Sequence, residues 1–445
     1  TFGGAILNSG AATISDAAFA DNLANSGGAA IFNASGTLTL TSATFSGNSA
    51  SRGNGGAIFN SVGTASISGG AFTSNLAYLG GGAICNYDEL FVSGAAFSNN
   101  SATSQWGGAI WNGTDASAEL MDASFTSNRS TSGGAIFNRG TLAVTGGTFS
   151  RNSATSNGAA IFNASSSDSF GGSATIVSAF FTSNRARSGG AIVNNSGMLE
   201  VLGGTFSVNS ATSQGGAIFN NGTATASGAF FSGNRAGSGG AIVNNGGTAI
   251  LNDDVFSANS ATSGGGAVLN SGGGVLSVFG GTFSGNRATN NGGAVFNYGT
   301  ATVSSAVFAS NFANSGGALF NARGGTLEVS GGTFSHNSAG SSGVMVRYGG
   351  AIYNSGDATL TDVSFVANAG RSVYGGAVYN ASDLDVLGGS FVSNQALRGG
   401  ALFNSSGTLM ISGANFSSNT ASSGGALFLM GGPATVANAV FTGNS

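Results

Sequence analysis

Two neighbouring carboxylates, Asp253 and Asp254, are the residues of this chain whose type and spacing best suit acid–base chemistry. Paired carboxyl groups can act as general acid and general base in enzymes that cleave polysaccharides. This pair stands in the turn before Phe256, where comparable segments carry Gly203-Gly204 or Gly280-Gly281. The position favours a solvated corner over a catalytic pair.

The single histidine and the single cysteine are the other candidate reactive groups. His336 stands where comparable segments have Val208, and no carboxylate occupies the matching place in neighbouring segments, so we interpret it as an exposed side chain without a catalytic role. Cys85 fills a position held by Phe59 and Trp111 elsewhere, which indicates a packed hydrophobic side chain and not a nucleophile. We therefore predict no enzyme activity, and no catalytic, cofactor-binding or metal-binding residue.

The amino-acid composition limits the classes of partner that this chain can bind. The 445 residues include 80 glycines and 33 phenylalanines but no lysine, and the formal net charge is −4. So few positive charges cannot neutralise many phosphates, which argues against nucleic acid and anionic membranes as partners. One cysteine excludes an internal disulfide, and no apolar run is long enough to span a membrane as a helix. If the protein is exported, we expect its signal and anchor to lie outside this sequence.

Two sequence markers alternate along the whole chain. The first is Gly-Gly-Ala followed by an aliphatic residue, a large apolar residue and Asn, as in 55–60, and the second is Phe-x-x-Asn, as in 45–48. The final position of the first marker runs from Asn8 to Leu429, which is 421 residues over 16 steps, or a mean of 26.3. Each marker occurs seventeen times. A fixed period of this length is the signature of a solenoid.

Between the markers, apolar and other residues alternate strictly, as in Leu38-Thr39-Leu40, a pattern typical of a half-buried strand. Each repeat therefore reads as three short strands joined by turns. We predict an all-β fold, a right-handed parallel β-helix of seventeen coils with about 26 residues per coil. The domain prediction is one β-helix over residues 1–445, with insertions near 164–173 and 338–349, where a recognition loop could project.

Stacking of coils about 4.8 Å apart turns each repeated position into a column. We expect the Asn columns to form hydrogen-bonded ladders, because Asn tolerates the left-handed backbone of a tight turn and its amide can pair with the next Asn. The predicted ladder residues are Asn33, Asn60, Asn86, Asn112, Asn138, Asn163, Asn48, Asn75, Asn100 and Asn128. The predicted core stack of aromatic rings is Phe19, Phe45, Phe72, Phe97, Phe125 and Phe149.

The arginines also follow the repeat. Arginine follows the Phe-x-x-Asn marker at Arg129 and Arg185, whereas Ser153 holds that place in the coil between them. The same alternation recurs at Arg235 and Arg287. We interpret this spacing of about 10 Å as avoidance of like charges within a stack.

These markers resemble the Gly-Gly-Ala-[Ile/Leu/Val] and Phe-x-x-Asn repeats of the chlamydial polymorphic outer membrane proteins, over the entire chain. The resemblance implies a β-helical passenger or surface adhesin, located outside the cell or on its surface. We expect neither a C-terminal outer-membrane barrel nor a signal peptide within these residues, and the sequence has far fewer cysteines than that family.

We expect one of two non-enzymatic functions, a fibre-forming rod or an adhesin stalk. A polysaccharide-acting β-helix enzyme is a remote alternative. Neither end shows a polar cap, and joining Ser445 to Thr1 would leave 6 residues before the next marker alanine, close to the usual internal spacing of 7 to 9. We therefore expect a rigid rod whose open terminal coils stack head to tail into a fibre. The alternative is an adhesin stalk within a longer surface protein, with a host or cell-surface ligand as its partner.

Overall fold

The computed structural model describes residues 2–164, 172–340, 347–370 and 372–445. Within these ranges the secondary structure is entirely β, and no helix is long and apolar enough to span a membrane. The chain forms two compact units, Thr1–Ala224 and Thr225–Ser445. Both are built from the same coil, so the chain is a parallel β-solenoid with a repeat of about 26 residues, as predicted.

Most coils contain four strands, one more than the sequence pattern predicted, whereas the last described coil has three. The first type, here called the Asn strand, carries the aliphatic residue, the large apolar residue and the Asn of the first marker. In the first unit the Asn strands are Ile6–Asn8, Ile31–Asn33, Ile58–Asn60, Ile84–Asn86, Ile110–Asn112, Ile136–Asn138, Ile161–Ala164, Ile192–Asn195 and Ile218–Asn220. In the second unit they are Ile242–Asn245, Val268–Ser271, Val295–Asn297, Leu319–Asn321, Ile352–Asn354, Val378–Asn380, Leu402–Asn404 and Leu427–Leu429.

The alternating strand follows. In the first unit the alternating strands are Ala11–Ser15, Gly36–Thr41, Gly63–Ser68, Glu89–Ser93, Ser117–Met121, Thr141–Thr145, Ser173–Val177 and Met198–Leu202. The division between the units falls within the next one, Thr223–Ser227. In the second unit they are Thr248–Asn252, Val275–Phe279, Thr300–Ser304, Thr326–Ser330, Asp357–Thr361, Leu384–Leu387, Leu409–Ser412 and Ala434–Ala437.

The Phe strand comes third and carries the aromatic residue of the second marker. In the first unit the Phe strands are Ala18–Ala20, Thr44–Ser46, Ala71–Thr73, Ala96–Ser98, Ser124–Thr126, Thr148–Ser150, Phe180–Thr182 and Thr205–Ser207. In the second unit they are Phe230–Ser232, Val255–Ser257, Thr282–Ser284, Val307–Ala309, Thr333–Ser335, Ser364–Val366, Ser390–Val392, Asn415–Ser417 and Val440–Thr442.

The short strand closes the coil, directly after the second marker in most coils; Arg347–Tyr348 and Val373–Tyr374 begin several residues later. In the first unit the short strands are Leu23–Ala24, Ser49–Ala50, Leu76–Ala77, Ser101–Ala102, Arg129–Ser132, Ser153–Asn157, Arg185–Ser188 and Ser210–Gln214. In the second unit they are Arg235–Ala236, Ser260–Ala261, Arg287–Ala288, Phe312–Ala313, Ser338–Ala339, Arg347–Tyr348, Val373–Tyr374, Gln395–Arg398 and Thr420–Ser423. Many have only two residues, which is too short for an alternation to show in the sequence.

Strands of one type pair in parallel with the same type in the next coil, and the register aligns equivalent residues. Thus Ile58 lies opposite Ile84 and Asn60 opposite Asn86. The first and third residues of the Asn strand point inward, as do Leu38 and Leu40 of the alternating strand, so they are buried except in the terminal coils, where Leu429 is 49% exposed. The core of each unit is therefore a set of columns, each made of similar residues: aliphatic, aromatic or asparagine.

The first glycine of the Gly-Gly-Ala marker makes the corner before the Asn strand possible. At Gly55 the backbone has φ +66, and an added Cβ would lie 2.2 Å from the carbonyl oxygen of Ile58. At the following Gly56, a Cβ would lie 2.1 Å from the carbonyl oxygen of Gly82 in the next coil. Glycine thus serves both the turn and the close approach of coils.

Candidate functional site

The Asn strands place their final side chains in a buried ladder. Asn60 is fully buried, and its Nδ2 donates to Oδ1 of Asn86 at 2.8 Å and to the carbonyl oxygen of Gly63 at 2.9 Å. The same bond links each Asn to the next from Asn8 to Asn220 in the first unit. It does so from Asn244 to Asn404 in the second. The predicted asparagine ladder is confirmed.

A second ladder runs beside the Phe strands. Both the backbone N–H and Nδ2 of Asn48 donate to Oδ1 of Asn75, at 3.1 and 2.9 Å. Nδ2 of Asn48 also donates to the carbonyl oxygen of Phe19 at 2.9 Å, which satisfies both amide hydrogens. A fully partnered buried amide avoids the penalty of about 1–3 kcal/mol that an unpaired buried polar group carries. These asparagines therefore have a structural role, since their amide groups bind neighbouring coils together.

The proposed reason for asparagine at the second ladder was wrong. The left-handed residue is not the ladder Asn but the residue immediately before it, with φ between 52 and 65 in every coil. Side chains of many types occupy this position, Val208, Arg151 and His336 among them. The turn aims the following Asn into the interior, and hydrogen bonding explains why that residue must be Asn. The full set is Asp21, Gly47, Ser74, Asn99, Ser127, Arg151, Ser183, Val208, Gly233, Ala258, Gly285, Ser310, His336, Ala367, Ser393, Ser418 and Gly443.

The rings of the Phe strands stack along the interior of each unit. Phe45 and Phe72 have ring centroids 4.7 Å apart with an interplanar angle of 4°, and Phe125 and Phe149 repeat that spacing. Phe19, in the first coil, is half-buried, whereas Phe45 is 1% exposed. The stack fills the space that a ligand cavity would need.

The middle residue of the Asn strand carries a second, outer row of aromatic rings. Trp106 lies 6.0 Å from Trp111 and 5.1 Å from Phe137, and the guanidinium of Arg139 lies 5.0 Å from the Trp106 ring. Cys85 belongs to this row but is completely buried, and burial raises the pKa of its thiol well above the ordinary value. A neutral buried thiol is a poor nucleophile.

The prediction that Asp253 and Asp254 both lie at a solvated corner is wrong for Asp254. Its side chain is 2% exposed, and Oδ1 accepts a 2.7 Å hydrogen bond from the backbone N–H of Ala229. Burial raises the pKa of the carboxyl to about 7, although the N–H bonds from Ala229 and Asn252 oppose the shift. Asp253, its neighbour, is exposed and has φ 52, so the two side chains face different environments. They do not form an acid–base pair.

His336 is exposed, as expected from the sequence. Across the part of the chain that the structure describes, no three His, Cys, Asp or Glu residues cluster closely enough to hold a metal ion. The predicted insertions fall largely on residues 165–171 and 341–346, which lie outside the described residues, so a recognition loop there stays a prediction.

The outer surface of the first unit carries two grooves. One, on the alternating strands, has a volume of about 310 Å³ and is bordered by Phe91, Glu119 and Met121 together with serine and threonine side chains. The other, on the short strands, has a volume of about 250 Å³ and is bordered by Arg129, Arg185, Arg187 and three hydroxyl side chains. Arg187 was not singled out from the sequence, although it stands two residues after Arg185 and therefore on the same strand face.

The coil, the two asparagine ladders and the ring stack define a protein of the parallel β-solenoid class. Three stretches, residues 42–61, 122–139 and 280–298, match the Chlamydia polymorphic membrane protein (Chlamydia_PMP) repeat, so the resemblance noted from the markers is confirmed at these places. That family is a non-enzymatic family of membrane and surface proteins. No curated protein and no solved structure matches the chain.

Proposed function

We propose that this chain is a non-enzymatic β-solenoid scaffold of the cell surface that presents its outer strand faces to a ligand. The observation that carries the proposal is the pair of buried ladders. They assign the repeated polar residues to holding coils together, while variable residues occupy the outward positions. The repeat match to a surface protein family supports the location.

The arrangement of the reactive groups supports a non-enzymatic role. Cys85 is enclosed, His336 is exposed at a turn, and Asp254 is buried with an oxygen bound to a backbone N–H. General acid–base catalysis needs two such groups within reach of one bond. We expect no cleavage of a panel of neutral and acidic polysaccharides. Cleavage that disappears in Asp253→Asn or Asp254→Asn would refute the proposal.

An adhesion assay tests the scaffold's proposed binding role. Beads coated with the folded protein should attach to cultured cells, and beads coated with heat-unfolded protein should not. The control matters because an unfolded chain with 33 phenylalanines would bind surfaces non-specifically. Equal attachment by both preparations, or by neither, would contradict a folded adhesive surface.

A second candidate is head-to-tail stacking into a fibre. Apolar side chains are exposed on the first described coil, including Leu7 at 59%, and on the last, including Phe441 at 47% and Val440 at 55%. Either a second copy or further coils of a longer chain would cover them. Electron microscopy of the concentrated protein is the test. Long filaments would support the fibre, and uniform single particles would refute it.

A further inference from the structure

The groove on the short strands of the first unit gathers positive charge from alternate coils. Arg129 lies opposite Ser153 in the next coil, and Ser153 lies opposite Arg185 in the coil after that. Two steps of about 4.8 Å place the backbones of the two arginines about 10 Å apart. Arg187 is two residues beyond Arg185 and also lines the groove, so arginines flank Ser153 and Thr155 from both sides.

These charges have no internal counterion among the residues that the structure describes. Arg129, Arg185 and Arg187 are all exposed, and no salt bridge joins them to a described carboxylate. A fourth arginine, Arg151, stands two residues before Ser153 on the intervening coil. Like charges gathered in this way repel one another, and an anion in the groove would relieve that repulsion. The cluster stands out because the whole chain has a net charge of −4.

The short strands of the second unit carry the same alternation of arginine and serine but no such cluster of arginines. Arg235, Ser260 and Arg287 repeat the alternation of arginine and serine. However, Gly237 holds the position that corresponds to Arg187, and the guanidinium of Arg287 lies 4.4 Å from the ring centroid of Phe312. That arginine already has an aromatic partner. Avoidance of like charges explains the second unit but not the extra arginines of the first.

We propose that this groove binds an acidic glycan, an oligosaccharide that carries sulfate or carboxylate groups; the inference rests on the proposed surface-binding role. Planar guanidinium groups bind such anions through paired hydrogen bonds. The hydroxyl groups of Ser153, Thr155 and Thr212, which line the same groove, can donate to and accept from sugar hydroxyls.

The spacing favours a glycan over duplex nucleic acid. Duplex DNA presents a charge about every 1.7 Å and calls for a long basic track, whereas this groove holds only a few arginines on alternate coils. A glycan whose anionic groups are separated by uncharged ring atoms matches arginines on alternate coils. The groove is also too small to cradle a duplex.

The test measures binding of the purified chain to dextran sulfate, polygalacturonate, single-stranded DNA and unmodified dextran at low ionic strength. We expect binding to at least one acidic polymer, weakened by added salt, and none to dextran. The sulfated and uronate arms distinguish the two sources of the anion. Absence of binding to both acidic polymers, binding to dextran of equal strength, or tighter binding to single-stranded DNA would each overturn the proposal.

Two double variants with the same change of charge provide the matched comparison. Arg185→Gln with Arg187→Gln should weaken binding about tenfold or more, since each removes a charge-assisted contact. Arg235→Gln with Arg287→Gln should leave it within about twofold. Equal weakening in both would show a non-specific charge effect and contradict the groove. Thermal unfolding checks that both variants fold. If the unaltered protein adheres to cells but binds neither acidic polymer, this inference alone is refuted, whereas glycan binding without cell adhesion would refute the adhesive role.

Discussion

The backbone N–H of Ala229 donates a 2.7 Å hydrogen bond to Oδ1 of Asp254, a carboxylate buried one coil further along the chain. Equivalent positions in other coils hold Ala or Gly, such as Ala306 and Gly332, apart from Val363. Asp254 is thus an acidic residue in a column of small residues, which makes the stability of the second unit depend on pH.

The pH dependence has a definite sign. The pKa of Asp254 is raised from 3.8 to about 7, so the folded state favours the protonated form. The stabilisation of the folded state by protonation of Asp254 is complete below pH 3.8. It falls as pH rises and is lost above about 7, which lowers the free energy of unfolding by about 4 kcal/mol. Asp254→Asn should raise the Tm at pH 8 but not at pH 3.5. Asp253→Asn, the exposed neighbour, is the control and should keep the wild-type profile. A wild-type profile in Asp254→Asn as well would contradict the burial.

A single break in the second ladder should be costly. Oδ1 of Asn286 accepts two hydrogen bonds from Asn259, and its Nδ2 donates to the carbonyl oxygen of Phe256 and to Asn311. Asn286→Ala removes these bonds and leaves buried groups unpaired, so we expect a loss of about 3 kcal/mol in urea unfolding. Asn290→Ala, an exposed asparagine four residues away, should change stability by less than about 0.5 kcal/mol. Similar losses in both variants would mean that the ladder contributes little.

The left-handed residue before the ladder Asn offers a reciprocal test. Val208 has φ 58 and is 60% exposed, so Val208→Gly should relieve backbone strain and stabilise the protein by about 1 kcal/mol. Gly285 occupies the same position with φ +61, and an added Cβ would meet no atom within 4 Å. Gly285→Val should therefore destabilise by a similar amount through backbone strain alone. Thermal unfolding of both variants measures the pair, and shifts of the same sign would contradict this explanation.

Cys85 provides a chemical probe of packing. Its thiol is buried and its pKa is raised, so iodoacetamide should label it only after unfolding. Mass spectrometry of native and urea-unfolded samples gives the comparison. Rapid labelling of the native protein would show that the Asn strand between Phe59 and Trp111 opens readily.

The sequence predicted those parts of the fold that repeat with period two. Inward residues of the alternating strand, such as Leu38 and Leu40, follow from that pattern because strand side chains point to opposite faces. The short strand was missed since Ser49–Ala50 contains too few residues for a pattern. The left-handed residue was missed because its backbone is held by the turn around it, and side chains as different as Val208 and His336 accept it.

The candidate site was harder to predict than the fold. Asp254 was assigned to solvent because glycine at the same place in other coils reads as an exposed turn, whereas the structure encloses that position. The groove of Arg129, Arg185 and Arg187 combines residues from separate coils, so it becomes visible only when the register of the short strands is known.

The hydrogen bond between ladder asparagines has the same length whether more or fewer residues separate its two partners. Asn138 and Asn163 are 25 residues apart, and Asn163 and Asn194 are 31 apart, yet both pairs are joined at 2.8 Å. The additional residues between Asn163 and Asn194 thus leave the hydrogen bond of the ladder unaltered. Such a scaffold can diversify by insertion between ladder positions, and it can lengthen by duplication of whole coils. Evolution can therefore vary what the surface displays while the interior remains under constant selection for the same few residue types.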